Sequence, residues 1–182
     1  NDTFQEYILL SENNIILSDV AYDGNSFYLT GLVKNDANID YYDIFLIKLN
    51  DEYNIEYKKI ISTNYNDWPV GISIKENKII LFGYINKKTK KKIFLIDLEK
   101  EAGTLNSIKT YEPKYQSISL MDGQNSKQGL FLVGSCWDKK KIGILALKLG
   151  SKNGNLIKNR IMPSIIYRCY KEKCPGLIEF IQ

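Results

Sequence analysis

Three glycines set a ruler along this chain. Gly31, Gly83 and Gly134 each end the same kind of segment, a turn followed by an apolar run: "YDGNSFYLTGLV" (22–33), "KENKIILFGYI" (75–85) and "NSKQGLFLVGSC" (125–136). They stand 52 and 51 residues apart. A second set keeps the same step. "DIFLIKL" (43–49), "KIFLIDL" (92–98) and "GILALKL" (143–149) end at Leu49, Leu98 and Leu149, which are 49 and 51 residues apart. Two independent anchors drifting together by a residue or two point to an internal repeat rather than a plain meander with coincidental spacing.

Each unit holds two further apolar runs. "SDVAYD" (18–23), "VGISIK" (70–75) and "QSISLM" (116–121) precede the glycine segments, and "NIEYKKII" (54–61), "LNSIKTYE" (105–112) and "NLIKNRIM" (155–162) close the units. The runs are short, rich in β-branched and aromatic residues, and bounded by Gly, Asn and Asp, as strands are. No stretch keeps a 3.6-residue apolar period over a normal helix length. "DLEKEAG" (97–103) is the best helix-like string, and it is too short. The reading is an all-β chain, a β-propeller-like array of four-stranded antiparallel blades, about three full blades plus a partial one. Residues 1–182 form one domain with repeats at about 18–62, 67–112 and 115–162. The partial blade comes from "TFQEYILL" (3–10), "SIIYRC" (164–169) and "GLIEFI" (176–181), with the N-terminal strand expected to pair with the segment after Pro163. The alternatives are an open piece of a larger propeller, whose uncovered blade faces and edges favour association, and a ring completed by another chain.

"DIFLIKLNDEYNIEYKKI" and "NDWPVGISIKENKIILFGYI" resemble the repeats of secreted bacterial and archaeal surface proteins. The shared pattern is an Asp before a "fliKl" strand, a turn with Gly or Asn, an aromatic-bearing strand, and later an Asp, a strand and a glycine-rich close. The third unit departs from it, with Gly143 and Ala146 where the others carry bulkier residues. The resemblance covers most of residues 18–162 and implies a propeller fold and an extracellular or cell-surface place.

Composition narrows the chemistry. The chain has no His, which removes Ser-His-Asp and Cys-His nucleophile systems and the commonest metal ligand. A net charge of +4 is too small to point to nucleic acid, and no nucleic-acid partner is expected. Its distribution is uneven, with 11 acids against 4 bases in residues 1–60 and 10 against 21 thereafter. No run of 18 apolar residues suggests a membrane span. The first residue is Asn1, read as the start of a processed or cut chain, and Asn1-Asp2-Thr3 has the form of a glycosylation sequon short enough to arise by chance. Cys169 and Cys174 flank "YKEK", a loop that a hairpin disulfide could close in an exported chain, with two free thiols as the alternative. Neither metal nor cofactor is expected.

In four-stranded blades, the loops between the second and third strands share a face with the links between blades. That face gathers Tyr41, Tyr42, Tyr65, Trp68 and Trp137 with Lys87, Lys88, Lys90, Lys91, Lys139 and Lys140. Aromatic rings offer stacking surface and lysines offer charge to anionic groups. Against this, Trp68 follows Asp67 at a repeat position where packing between blades is the plainer expectation, and lysine-rich hairpin tips usually solvate or protect edges. Asp40 and Asp43 could suggest glycosidase carboxylates, but Asp43 falls at a strand start and reads as turn chemistry. "KNDANID" lacks the Gly and terminal Glu of a calcium loop. The leading expectation is a non-enzymatic module binding a protein or glycan. The rival is a carbohydrate-active enzyme using Asp and Glu in a central funnel.

Overall fold

The computed structural model describes residues 15–34, 41–63, 65–87, 90–113, 117–127, 129–138, 141–149 and 156–163. Among them the regular elements are all strands, grouped as three four-stranded antiparallel sheets. The first holds β1 (Ile15–Tyr22), β2 (Ser26–Lys34), β3 (Tyr42–Asn50) and β4 (Ile55–Ile61). The second holds β5 (Asn66–Lys75), β6 (Lys78–Lys87), β7 (Lys90–Glu99) and β8 (Leu105–Tyr111). The third holds β9 (Ser117–Ser126), β10 (Gly129–Asp138), β11 (Lys141–Leu149) and β12 (Leu156–Pro163). Each is a meander, with strands lying side by side in chain order. The expected strands at 3–10 and 164–181, their pairing, and Cys169 and Cys174 lie outside the described residues.

The repeat is kept at the level of single hydrogen-bonded pairs. Gly31, Gly83 and Gly134 occupy the same place on β2, β6 and β10, opposite Leu17, Pro69 and Leu120. One residue later on the first strand the register slips, leaving Ser18, Val70 and Met121 as the extra residues of three equivalent β-bulges. A second bulge recurs on the fourth strand, where Glu56, Asn106 and Ile157 are the extra residues. A Cβ placed on Gly31, Gly83 or Gly134 would collide with the carbonyl oxygen of Ile16, Trp68 or Ser119 respectively. The colliding atom is rigid backbone, so glycine is the only residue that fits.

The sheets stack in sequence, with the second in the middle. Strands carry alternate residues to opposite faces, and both faces of the middle sheet are apolar. Ile79, Leu81, Ile85, Phe94, Ile96 and Leu98 pack on Tyr28, Ile44 and Leu46 of the first sheet. Phe82, Tyr84, Ile93 and Leu95 pack on Leu130, Leu132, Leu145 and Leu147 of the third. The first strands approach one another, β5 lying beside both β1 and β9. Asp19 on β1 accepts the backbone N–H of Ile72 on β5 at 2.9 Å, and Asn125 on β9 donates to Ser73 on β5 at 2.7 Å.

A charged cluster ties the first two sheets at their turn end. Lys48 on β3 is buried, 2.9 Å from Glu56 on β4 and 3.1 Å from Glu101 in the β7–β8 turn. Burial would drive the Lys48 pKa down, but the two carboxylates outweigh it and hold the ammonium above its ordinary value. Lys100 reaches back to Asp23 at 3.0 Å, and Tyr57 donates its hydroxyl to the Lys100 carbonyl at 3.0 Å. Burial disfavours the Asp23 carboxylate; the N–H of Asn25, the Lys100 ammonium and the N–H of Ser26 reverse this and hold its pKa well below the usual range.

The glycine geometry predicts a sharp contrast. Gly83→Ala should lower unfolding free energy by roughly 3 kcal/mol or more, because backbone must move to admit the methyl. Gly24→Ala meets no atom within 4 Å and carries only the strain of a φ of 99° in an open turn, so it should lose about 1 kcal/mol. Urea denaturation of both variants checks this; equal losses would show that the carbonyl contact does not shape the sheet.

Candidate functional site

The bulges bring three equivalent stretches of the first strands together. Ile16-Leu17-Ser18 of β1, Trp68-Pro69-Val70 of β5 and Ser119-Leu120 of β9 line a groove of about 560 Å³, joined by Tyr84, Asn86 and Lys91. Ile16, Trp68 and Ser119 are the residues whose carbonyls press on the three glycines. Their backbones are thus committed to the fold while their side chains differ freely: an aliphatic residue, an indole and a hydroxyl. The site lies at the starts of the first strands, the end where the β4–β5 link and the β6–β7 turn also fall.

Trp68 does not pack away between sheets as its repeat position suggested. It is 43 % exposed. Tyr84, its cross-strand partner, turns toward the third sheet and donates its hydroxyl to the Leu120 carbonyl at 3.0 Å. Burial pushes the Tyr84 pKa up to about 12, so the phenol stays a neutral donor. Lys91 places its ammonium 5.1 Å from the Tyr84 ring centre, a cation–π distance. The groove therefore presents one exposed indole, one cation, and Ser18, Asn86 and Ser119 as hydrogen-bonding groups on an otherwise apolar wall.

The other expected site residues are spread around this end of the molecule. Tyr41 and Tyr65 are exposed and Tyr42 is half-buried, its backbone N–H 3.4 Å from the Asn66 side-chain oxygen. None of the three lines the groove. Trp137 is exposed on β10 but outside the groove, in a cross-strand row with Ser117. Lys87 is described only as a backbone position on β6, paired with Lys90, and Lys88 and Lys139 lie outside the described residues. Ile16, Leu17, Ser18, Asn86 and Ser119 were not picked out by composition. The signal that finds the first-strand residues is the glycine register, since each stretch is read off the residue opposite its glycine; Asn86 lies on β6 and carries no such mark.

Asp43 departs from its expected turn role. Strand pairing runs on to Lys34 and Tyr42, so Asp43 is the second residue of β3, paired with Val33 and buried. Across the inter-sheet link Asp67 is fully buried; its carboxylate accepts the Thr63 N–H at 3.1 Å and the Thr63 hydroxyl. Burial raises the Asp67 pKa to about 6, against the lowering effect of the two Thr63 hydrogen bonds and with a smaller push from the Asp43 charge. These acids shape the link rather than face the groove. Cys136 is a buried free thiol near the Gly143 carbonyl, and burial raises its pKa. Among the described residues no three His, Cys, Asp or Glu side chains gather as a metal site requires, and no helix is long and apolar enough to cross a membrane.

Because the folded state holds the Asp67 proton more tightly than the unfolded chain, its contribution to stability is full below about 3.8 and is lost as pH rises through about 6. The chain should be more resistant to urea at pH 5 than at pH 7.5. Asp67→Asn, neutral at both, should erase that difference, on the order of 2 kcal/mol. An unchanged pH slope in the variant would assign the titration to another group.

No protein-family model matches this chain, and no curated protein matches it. What the chain does rests on the geometry of the groove and the chemistry that lines it.

Proposed function

We propose that the chain is an arc of a β-propeller and works as a non-enzymatic binding module, outside the cell or at its surface, that holds a protein or glycan in the groove at its first strands. Support for the propeller reading comes from three meander sheets of one register stacked in order, with the first strand of each turned toward its neighbours. Placement outside the cell is supported only by the repeat pattern of the sequence. The observation that carries the binding role is Trp68, a large apolar ring left 43 % exposed in a concavity beside a cation. Exposed aromatic rings in concave sites recur in recognition because they bring large contact area with little conformational freedom to lose.

Hydrolysis of a glycosidic bond calls for two carboxyl groups facing one cavity. Among the described residues the groove lining offers no carboxylate, and the two acids drawn together nearby, Asp43 and Asp67, are buried. Binding is therefore the better reading.

Panels of immobilised oligosaccharides and of extended peptides provide the test. The chain should be retained by one class, and Trp68→Ala should weaken that binding at least tenfold, about 1.4 kcal/mol. Trp137→Ala, outside the groove, should leave it unchanged. Retention by neither panel, or full binding by Trp68→Ala, would remove the groove as the site.

A further inference from the structure

The hydrogen-bonding capacity of the groove lies in its side chains more than in its backbone. The carbonyls of Ile16, Trp68 and Ser119 are pressed on Gly31, Gly83 and Gly134. The Leu120 carbonyl takes the Tyr84 hydroxyl, and the Ile72 N–H next to the groove is held by Asp19. Pro69 has no N–H to give. A peptide that adds itself to a sheet needs a row of open main-chain groups, and these commitments break such a row. What faces the groove instead is an indole with the Ser18 hydroxyl and the Asn86 amide. That combination suits a ring with an apolar face and a hydroxylated rim, which is a sugar.

The groove also carries a positioned positive charge. Lys91 pairs with Asn86, and its ammonium lies 5.1 Å from the Tyr84 ring centre. That ring is itself anchored, its hydroxyl donating to the Leu120 carbonyl at 3.0 Å and accepting a hydrogen bond from Ser119. Tyr84 stands directly opposite Trp68, and opposed side chains have Cβ atoms about 5 Å apart. Indole and ammonium thus stand around one fixed ring. The acids next in sequence to the lining are turned to backbone: Asp19 accepts the N–H groups of Val20 and Ile72, and Asp67 accepts the N–H and hydroxyl of Thr63. Among the described residues no carboxylate lines the groove to neutralise Lys91.

We propose that the groove takes an acidic glycan, a sugar chain whose carboxylate meets Lys91 while a ring face stacks on Trp68. The inference rests on the groove being the binding site and adds the class of its ligand. A lone ammonium is a compact point charge that balances one monoanion. The lining has no arginine, whose planar fork is the usual match for phosphate. Lys91 is held over Tyr84 before any ligand arrives, so little freedom is lost on binding. The surplus of 21 bases over 10 acids in residues 61–182 draws a polyanion toward this part of the chain.

Calorimetric titration of the full 182-residue chain with short oligomers of galacturonate and of mannuronate, and with the methyl esters of both, tests this. One of the acids should bind, and its ester should bind about tenfold more weakly or worse. Lys91→Gln, a change at an exposed position, should bring the acid down to the level of its ester and leave the ester as it was. Lys91→Arg should keep the preference for the acid, and Trp68→Ala should weaken acid and ester alike. Equal binding of acid and ester, or full binding of the acid by Lys91→Gln, overturns the acidic ligand and leaves the groove as a neutral-sugar site. Binding of extended peptides alone, lost in Trp68→Ala, overturns the glycan and leaves the groove as a peptide site. Failure of both uronates with no Trp68-dependent binding of any sugar or peptide overturns the proposal and the groove together.

Discussion

A backbone carbonyl lodged against a glycine governs the shape of each sheet. At Ile16, Trp68 and Ser119 the first strand comes so close to the second that no Cβ fits between them. The register then slips by one residue, and a bulge forms at Ser18, Val70 and Met121. Bulges bend a strand and sharpen its twist. Three equal bends, 52 and 51 residues apart, turn three first strands toward one another and leave a groove where they meet. The glycine is therefore remote from any ligand chemistry yet decides where that chemistry can sit. Phe82 exploits the same economy of volume, its ring lying against Gly71 of β5 and Gly123 of β9, where any side chain would displace it.

Stacking sheets face to face buries whatever stands at the alternate positions, including charge. An unpaired buried ammonium is strongly destabilising, so Lys48 is tolerable only because Glu56 of its own sheet and Glu101 of the next both meet it. Glu101 lies in a turn held by Glu99, whose carboxylate accepts the N–H groups of Glu101 and Ala102. The ion pair thus depends on the conformation of a turn in the neighbouring sheet. Such a pair adds little net stability beyond what apolar residues of the same shape would give.

Much of the fold was legible because its determinants are local. Strand alternation, turn residues and the position of each glycine within its hairpin all lie within about ten residues of one another, and a repeat triples the signal. Pairing within each sheet followed directly. The contacts between sheets were not legible. Lys48 and Glu101 are 53 residues apart, and Lys100 and Asp23 are 77 apart; nothing in "FLIKL" distinguishes a lysine that will be buried from one on a surface. Trp68 failed for the same reason. Its place in the repeat located it on the first strand, but whether its ring would be covered depended on contacts between sheets that the repeat does not encode. Asp67 was read only as a marker of the repeat, while its burial beside Thr63 depends on the path of the link between sheets.

The division of labour within Ile16, Trp68 and Ser119 has a consequence for how such a groove can change. Each residue contributes a carbonyl to the sheet, and a carbonyl is common to all twenty amino acids. Each contributes a different side chain to the groove. Substitution at these positions therefore alters the groove surface while leaving the bulge intact, whereas substitution at the contacting glycine alters the bulge and disturbs the groove without touching its lining. The stiffness of the groove and the chemistry of its lining are set by opposite members of the same contact. In the second sheet the backbone of Trp68 is fixed by Gly83, with Pro69 opposite the glycine. A rigid backbone beneath an exposed ring is what a binding surface needs if its affinity is not to be spent on ordering itself.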